Sequence, residues 1–224
     1  DPKARVSYLF NSTIAGIDKA DVILLVGTNP RWEAPVINAR IRKRYLKGGV
    51  KIAAIGPQLD LTYKAEVLGA GPETLAQVAA GTHPFSEVLK SAKAPMLVVG
   101  MGALARPDGA AVDASARALA DSCNLIRDGW NGFNVLHTAA SRVAGLELGF
   151  VPQGKGRDIA GILDGTRNGE IEFLYLLGAD EIDSSHFGKA FVVYQGHHGG
   201  RGAHRADVVL PGAAYTEKDG TYMN

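Results

Sequence analysis

Short runs of Val, Ile, Leu and Phe recur along the chain between stretches with helical spacing: Val22 to Val26, Val50 to Ile55, Met96 to Gly100, Phe173 to Leu177, Phe191 to Tyr194 and Val208 to Leu210. Within each run the apolar residues are continuous rather than alternating, the pattern of parallel strands covered on both faces. Between the first two runs, Glu33 to Lys47 places Ile37, Ile41 and Tyr45 at i, i+4 and i+8 on one face of a helix. Pro35 fits its first turn, where a missing N–H does no harm. Further helices are predicted at Pro72 to Ala80, Pro84 to Lys93, Asp108 to Cys123 and Asn134 to Gly145, the last capped by Asn134 and closed by Gly145. Residues Gly149 to Gly165, "GFVPQGKGRDIAGILDG", have the Gly and Pro density of a long exposed loop. Strand alternating with helix predicts an α/β layered sandwich with mainly parallel sheets.

The first run ends in "VGTNP" and passes directly into the basic helix. A strand that feeds a helix through a glycine turn leaves backbone N–H groups where a phosphate can sit. Any parallel sheet also needs such turns, and neither G-x-G-x-x-G nor G-x-x-x-x-G-K accompanies this one. "EFLYLLGADEI" at 172–182 echoes "ADVILLVGTNP" at 20–30, with Gly178 and Asp180 matching Gly27 and Asn29. The echo suggests two Rossmann-like half-units, approximately 1–92 and 93–224, facing one pocket for a two-headed ligand at the carboxyl ends of the strands.

Composition narrows the partners. The 224 residues are 46% hydrophobic and 21% charged, enough for a sizeable core, and 24 basic against 23 acidic residues leave a net charge of +1. No field favours nucleic acid or an anionic membrane surface. Cys123 is the single cysteine, which excludes an internal disulfide and any cysteine-ligated zinc or iron-sulfur site within this segment. Its simplest reading is a small buried residue. The apolar runs are far shorter than the roughly 20 residues that span a bilayer, so direct membrane insertion is not expected. The chain opens without Met and closes on Thr221 to Asn224, as expected of a piece of a longer polypeptide.

Candidate chemistry is sparse. His197, His198, His204 and Asp207 bring together metal-ligating residue types, but adjacent histidines point apart and the spacing matches no standard zinc framework, so no metal is expected. Gly199, Gly200 and Gly202 around them permit close backbone approach to a neighbour. Asp180, Glu181 and Asp183 follow a strand and suit either an acid–base pair or helix capping. No G-x-S-x-G elbow or H-E-x-x-H helix occurs, and no residue stands out as catalytic. Arg40, Arg42, Lys43, Arg44 and Lys47 give one helix a basic face that is either solvated or used for docking.

Four stretches carry a family resemblance: "YLFNSTIAGIDKADVILLVGTNPRWEAPVINARIRK", "DLTYKAEVLG", "GTHPFSEVLKSAKAPMLVVG" and "YQGHHGGRGAHRADVVLPGAAYTEKDGTYMN". They closely resemble the carboxyl-terminal region of the large iron-sulfur subunit of NADH:quinone oxidoreductase, respiratory complex I, over essentially the whole chain. That region is in turn similar to molybdopterin oxidoreductases of the formate dehydrogenase and dimethyl sulfoxide reductase type. There, strand-Gly-x-Asn-Pro turns help bind the guanine dinucleotide ends of two pterins. The resemblance makes Gly27, Asn29, Pro30, Gly178 and Asp180 vestigial pterin-dinucleotide positions. The second turn departs from the pattern, with Asp180 and Glu181 in place of an Asn-Pro pair, and a carboxylate aimed at phosphates is repulsive.

The resemblance implies a non-catalytic scaffold or docking domain in a complex that passes electrons from NADH to quinone and translocates protons. No cofactor is expected in this segment; [2Fe-2S] and [4Fe-4S] clusters belong to an amino-terminal part of the subunit absent here. The implied partners are other peripheral-arm subunits, on the cytoplasmic side of a bacterial inner membrane or the matrix side of a mitochondrial one. Two other readings stay open: a working molybdopterin-dependent oxidoreductase domain, and an unrelated nucleotide-binding module, since "KAPMLVVGMGAL" looks similar to the central domain of thiamine-dependent decarboxylases.

Overall fold

The computed structural model describes residues 3–223; Asp1, Pro2 and Asn224, the last residue of the closing motif, lie outside them. Contacts divide the chain into two units, one running to Leu148 and including Met223, the other Gly149–Tyr222.

The first unit contains α1 (Thr13–Gly16), β1 (Val22–Val26), α2 (Pro30–Glu33), α3 (Pro35–Leu46), β2 (Lys51–Ile55), β3 (Glu66–Gly69), α4 (Pro72–Ala79), α5 (Phe85–Lys90), β4 (Pro95–Gly100), α6 (Met101–Leu104) and α7 (Gly109–Ser122). A short hairpin of β5 (Ile126–Arg127) and β6 (Trp130–Asn131) leads to β7 (Phe133–Leu136) and α8 (Arg142–Glu147). Five strands form one parallel sheet in the order β3-β2-β1-β4-β7. β1 sits at its centre, Leu24 level with Ala53 on one side and Leu97 on the other.

Side chains alternate across the pleat, so this sheet serves two cores. Val22, Leu24, Val26, Leu97 and Val99 pack with Leu75, Leu89 and Leu119 from α4, α5 and α7. On the other face Ile23, Leu25, Met96 and Val98 meet Ile41 of α3 and Ile17. Each such side chain, when fully buried, contributes about 1.5–3 kcal/mol. The all-apolar runs of β1 and β4 are explained by these two faces.

The second unit holds α9 (Ile159–Arg167), β8 (Phe173–Leu177), β9 (Phe191–Gly196), α10 (Arg201–Arg205) and β10 (Val208–Pro211). Its three strands are parallel in the order β10-β9-β8. Here burial alternates along β8, and a single core gathers Leu174, Leu176, Phe187, Val192 and Tyr194.

The α/β architecture with mainly parallel sheets is as the pattern predicts, whereas several local readings change. The division falls after Leu148 rather than near residue 92, because β4 and β7 complete the sheet begun by β1 to β3. Residues 134–145 are not one helix. Phe133–Leu136 is a strand and the helix is confined to Arg142–Glu147. Asn134 is fully buried within that strand and caps nothing; its Oδ1 accepts from the Ser12 N–H at 2.8 Å, and its Nδ2 donates to Ser12 Oγ at 3.0 Å and to Leu97 O at 3.2 Å. The expected loop at 149–165 ends in a helix. Asp158 caps α9 through the Gly161 N–H at 2.8 Å, and Ile162 and Leu163 pack on the sheet, so Gly161 and Gly165 do not break it.

Replacing Asn134 with Ala strips a partner from the half-buried Ser12 N–H and from the buried Leu97 carbonyl and is expected to destabilise the first unit by about 1–3 kcal/mol. Urea denaturation of the variant checks this; an unchanged midpoint would mean that the network contributes nothing.

Candidate functional site

Ligands of doubly wound sheets bind at the carboxyl ends of the strands, where strand order reverses. In the first unit that point lies between β1 and β4, since β2 and β3 extend the sheet on one side of β1, and β4 and β7 on the other. Gly27 leaves β1 with φ +57°, a left-handed conformation open to glycine, and its N–H donates to Ile55 O at 3.0 Å. Asn29 caps α2, its Oδ1 accepting from the Arg31 N–H at 3.2 Å, and Pro30 fills the first helical position.

The long helix predicted from Glu33 does not begin at this turn. A proline disfavours helical backbone in the residue before it. Ala34, before Pro35, has φ −150° and ψ 73°; α2 ends after one turn and α3 starts afresh. Glu33, at the end of that single turn, folds its carboxylate back. The Asn29 N–H donates to Oε1 at 2.7 Å and the Thr28 hydroxyl donates to Oε2 at 2.8 Å. Two donors suited to a phosphate are therefore occupied by an anion of the chain itself.

α6 closes the crevice from the β4 side. A Cβ on Gly27 would lie 2.5 Å from Ala103 Cβ, one on Gly100 2.4 Å from Thr28 Cβ, and one on Gly102 2.6 Å from Gly27 O. Glycine at these positions brings the two turns into contact with each other. Beside them is a mainly apolar cavity of about 80 Å³ that includes Gly27, Gly56, Gly71, Ala103 and Arg106. Pockets for drug-sized ligands run to about 300–1,000 Å³. Arg106 is taken up by Asp108 through two hydrogen bonds of 2.6 and 2.8 Å.

The second unit repeats the device. Gly178 leaves β8 with φ +64° and donates to Gln195 O at 2.8 Å, as Gly27 does to Ile55. Asp180 then accepts the Gly202 N–H of α10 at 2.5 Å, and a Cβ on Gly200 would fall 1.8 Å from its Oδ2. The neighbour that the glycine-rich loop approaches is thus a carboxylate. Glu181 accepts from the Asp180 N–H at 3.1 Å, and Asp183 caps the short 3₁₀ turn Ser184–Phe187 through the Ser185 N–H at 2.9 Å. Those hydrogen bonds with Ser185 hold the Asp183 carboxyl below its ordinary range. Between acid–base pairing and capping, the geometry of these acids is that of capping.

Residues 1–224 match the model of the molybdopterin oxidoreductase family. The chain belongs to this family. It is 46% identical over 225 residues to an NADH-quinone oxidoreductase subunit of Rickettsia bellii, an alignment covering 100% of this chain and 31% of that protein. It is 46% identical over 222 residues to the mitochondrial NADH dehydrogenase [ubiquinone] iron-sulfur protein 1 of Solanum tuberosum, covering 98% and 29%. The 75 kDa subunit of NADH-ubiquinone oxidoreductase from Reclinomonas americana is 44% identical over 222 residues, 98% of this chain and 31% of that protein. The chain spans about 31% of the length of the curated relatives it matches.

Elsewhere in this molybdopterin oxidoreductase domain, His197 and His198 are exposed with ring centroids 4.6 Å apart, His204 lies on α10, and Asp207 accepts from the Val192 N–H at 2.8 Å. Among the described residues no three His, Cys, Asp or Glu side chains are grouped to hold a metal ion. Cys123 is buried, which pushes its thiol pKa up. The basic face of α3 is not simply solvated. Arg40 pairs with Asp18 at 2.7 Å, and Arg44 donates to the carbonyls of Ala20, Gly48 and Gly49 at 2.8, 2.6 and 3.3 Å.

Three features escaped the pattern reading. Glu33 lies four residues after Asn29, a capping-box spacing lengthened by one, and that spacing was the available signal. Gly100 and Gly102 show their purpose only against the turn they touch. His137, just beyond β7, is buried, and its Nε2–H donates to Tyr8 O at 2.7 Å while Nδ1 has no partner. Burial, reinforced by Arg142, pushes its pKa below the ordinary 6.5 against the opposing Tyr8 bond.

Replacing Glu33 with Ala is expected to destabilise the first unit by about 1–3 kcal/mol by leaving the Asn29 and Thr28 donors unmet. Glu33→Gln, which retains one acceptor oxygen, loses less; equal stability of all three proteins in urea would show that the carboxylate does not seal the turn. For His137 the unfolded chain binds its proton near pH 6.5 and the folded chain only lower. The neutral ring's contribution is complete above pH 6.5 and is lost as pH falls below it. Urea midpoints at pH 7.5 and 5.5 should therefore differ more for the native protein than for His137→Gln.

Proposed function

We propose that residues 1–224 are a scaffold within the large iron-sulfur subunit of an NADH-quinone oxidoreductase and take no part in the redox chemistry themselves. The observation that carries this reading is that each glycine turn ends on a carboxylate of the chain, Glu33 on the first and Asp180 on the second. A phosphate placed against either would meet a like charge, at a cost of about 1 kcal/mol in water at 4 Å and more where water is excluded. Gly27, Asn29, Pro30, Gly178 and Asp180 then persist as turn formers where an ancestral pterin dinucleotide was held. The names of the relatives support assignment to the electron-transfer subunit.

On this reading electrons pass from NADH to quinone through [2Fe-2S] and [4Fe-4S] clusters elsewhere in the polypeptide, and this segment supports neighbouring subunits of the peripheral arm. No helix of the described residues is long and apolar enough to cross a membrane. The same reading puts the subunit on the cytoplasmic side of a bacterial inner membrane or the matrix side of a mitochondrial one. The family match favours one competing reading, a working molybdopterin domain whose molybdenum ligand lies outside these residues.

Metal analysis and pterin fluorescence of the purified complete gene product separate the two. The scaffold reading expects neither molybdenum nor pterin; stoichiometric molybdenum would overturn it.

A further inference from the structure

The two units differ in how their sheets are covered. In the first, chain leaves β1 in both directions across the sheet, and helices pack on both faces. In the second, the chain steps from β8 to β9 to β10 in one direction only. Parallel crossovers are right-handed, so a one-way path puts every connection on the same face. Ile162 and Leu163 of α9, Ile182, and Ala203 of α10 all lie against the face made by Leu174, Leu176, Val192 and Tyr194.

The opposite face is mainly apolar and largely open to solvent, although Val193 is buried and the Tyr175 hydroxyl donates to Gln195 Oε1. Phe173, Tyr175 and Leu177 of β8 are 56, 45 and 72% exposed, and Phe191 of β9 is 47% exposed. Phe173 pairs with Phe191 in register, their rings stacked with centroids 6.2 Å apart. Tyr175 is level with Val193, and Leu177 with Gln195 and thence with Leu210 of β10. No charged side chain interrupts these positions. Parallel sheets are covered on both faces, and the unbroken "FLYLL" of β8 is the sequence of a strand so covered. The edge of β8 away from β9 pairs with no strand among the described residues.

We propose that this face is covered by the remainder of the same polypeptide, through a strand that pairs with the free edge of β8 and a helix that lays an apolar stripe across Phe173, Tyr175, Leu177 and Phe191. Both ends of β8 are already connected, to α9 and to β9. A crossover that runs from β10 back across the sheet to the free edge of β8, opposite to the path from β8 to β10, is the one that right-handedness places on this face. The relatives supply the chain for it, since about 69% of their length lies outside the matched region (100 − 31). A second copy of this chain or another subunit would cover the apolar face without requiring a strand beside β8. Whether a pterin is bound has no bearing on this cover.

The test uses the complete gene product with the photoreactive residue benzoylphenylalanine in place of Leu177, irradiated and mapped by mass spectrometry. The expected adduct joins the β8 peptide to a peptide of the same polypeptide outside residues 1–224. An adduct with a second copy, an adduct with another protein, or no adduct on irradiation of the folded product would each overturn the proposal. A second variant guards against misfolding of the first. In the complete product Leu177→Asp should lower the soluble yield about tenfold and Leu177→Met leave it unchanged, because only the former buries a charge without a partner. Equal yields of native and Leu177→Asp complete product would count against the cover.

Discussion

Strand β1 is hydrogen-bonded in parallel on both edges and buried on both faces. A strand so placed has no route to water for any backbone group, so the chain entering and leaving it is tightly constrained. Asp21, just before it, accepts the N–H groups of Lys93 and Ala94 at 2.7 and 2.8 Å, fastening the start of β1 to the approach to β4. At the other end Gly27 turns out of the strand while still donating to Ile55. The position of every later group in the turn follows from this fixed exit, including the Asn29 N–H and the Thr28 hydroxyl that meet Glu33.

The exit also brings β1 and β4 together at the point where doubly wound folds commonly admit a ligand. Three glycines let the two turns touch, and Ala103 of α6 lies against Gly27 at their contact. The second unit reaches an equivalent state by another route, with Asp180 gripping the start of α10. Two unlike local sequences thus arrive at the same physical result, backbone donors satisfied by an internal carboxylate.

The units differ in what they ask of their surroundings. The five-stranded sheet is covered on both faces by its own helices. The three-stranded sheet is covered on one face only, because its connections all run one way. Its open face carries mainly the same kind of residues as its core, which is the character of an interior surface rather than of a solvated one.

Much of this was legible in the sequence. Continuous apolar runs located β1, β2, β4, β8, β9 and β10, and apolar periodicity located α3, because both signals arise from burial over a whole element. The glycine at each turn could be read as well, since few other residues accept a positive φ there. Local pattern misjudged Asn134, a good cap by residue type, whose side chain is instead consumed by Ser12 and Leu97 from distant parts of the chain. It also took α9 for a loop, because glycines that permit close packing look the same in sequence as glycines that break a helix. The sequence by itself determined those six strands, the parallel α/β class and the two glycine turns, all of which depend on side-chain type and spacing. Only the tertiary structure decided that the turns are closed and that one sheet face is largely open, because both depend on which distant segments meet, and spacing along the chain carries no record of that.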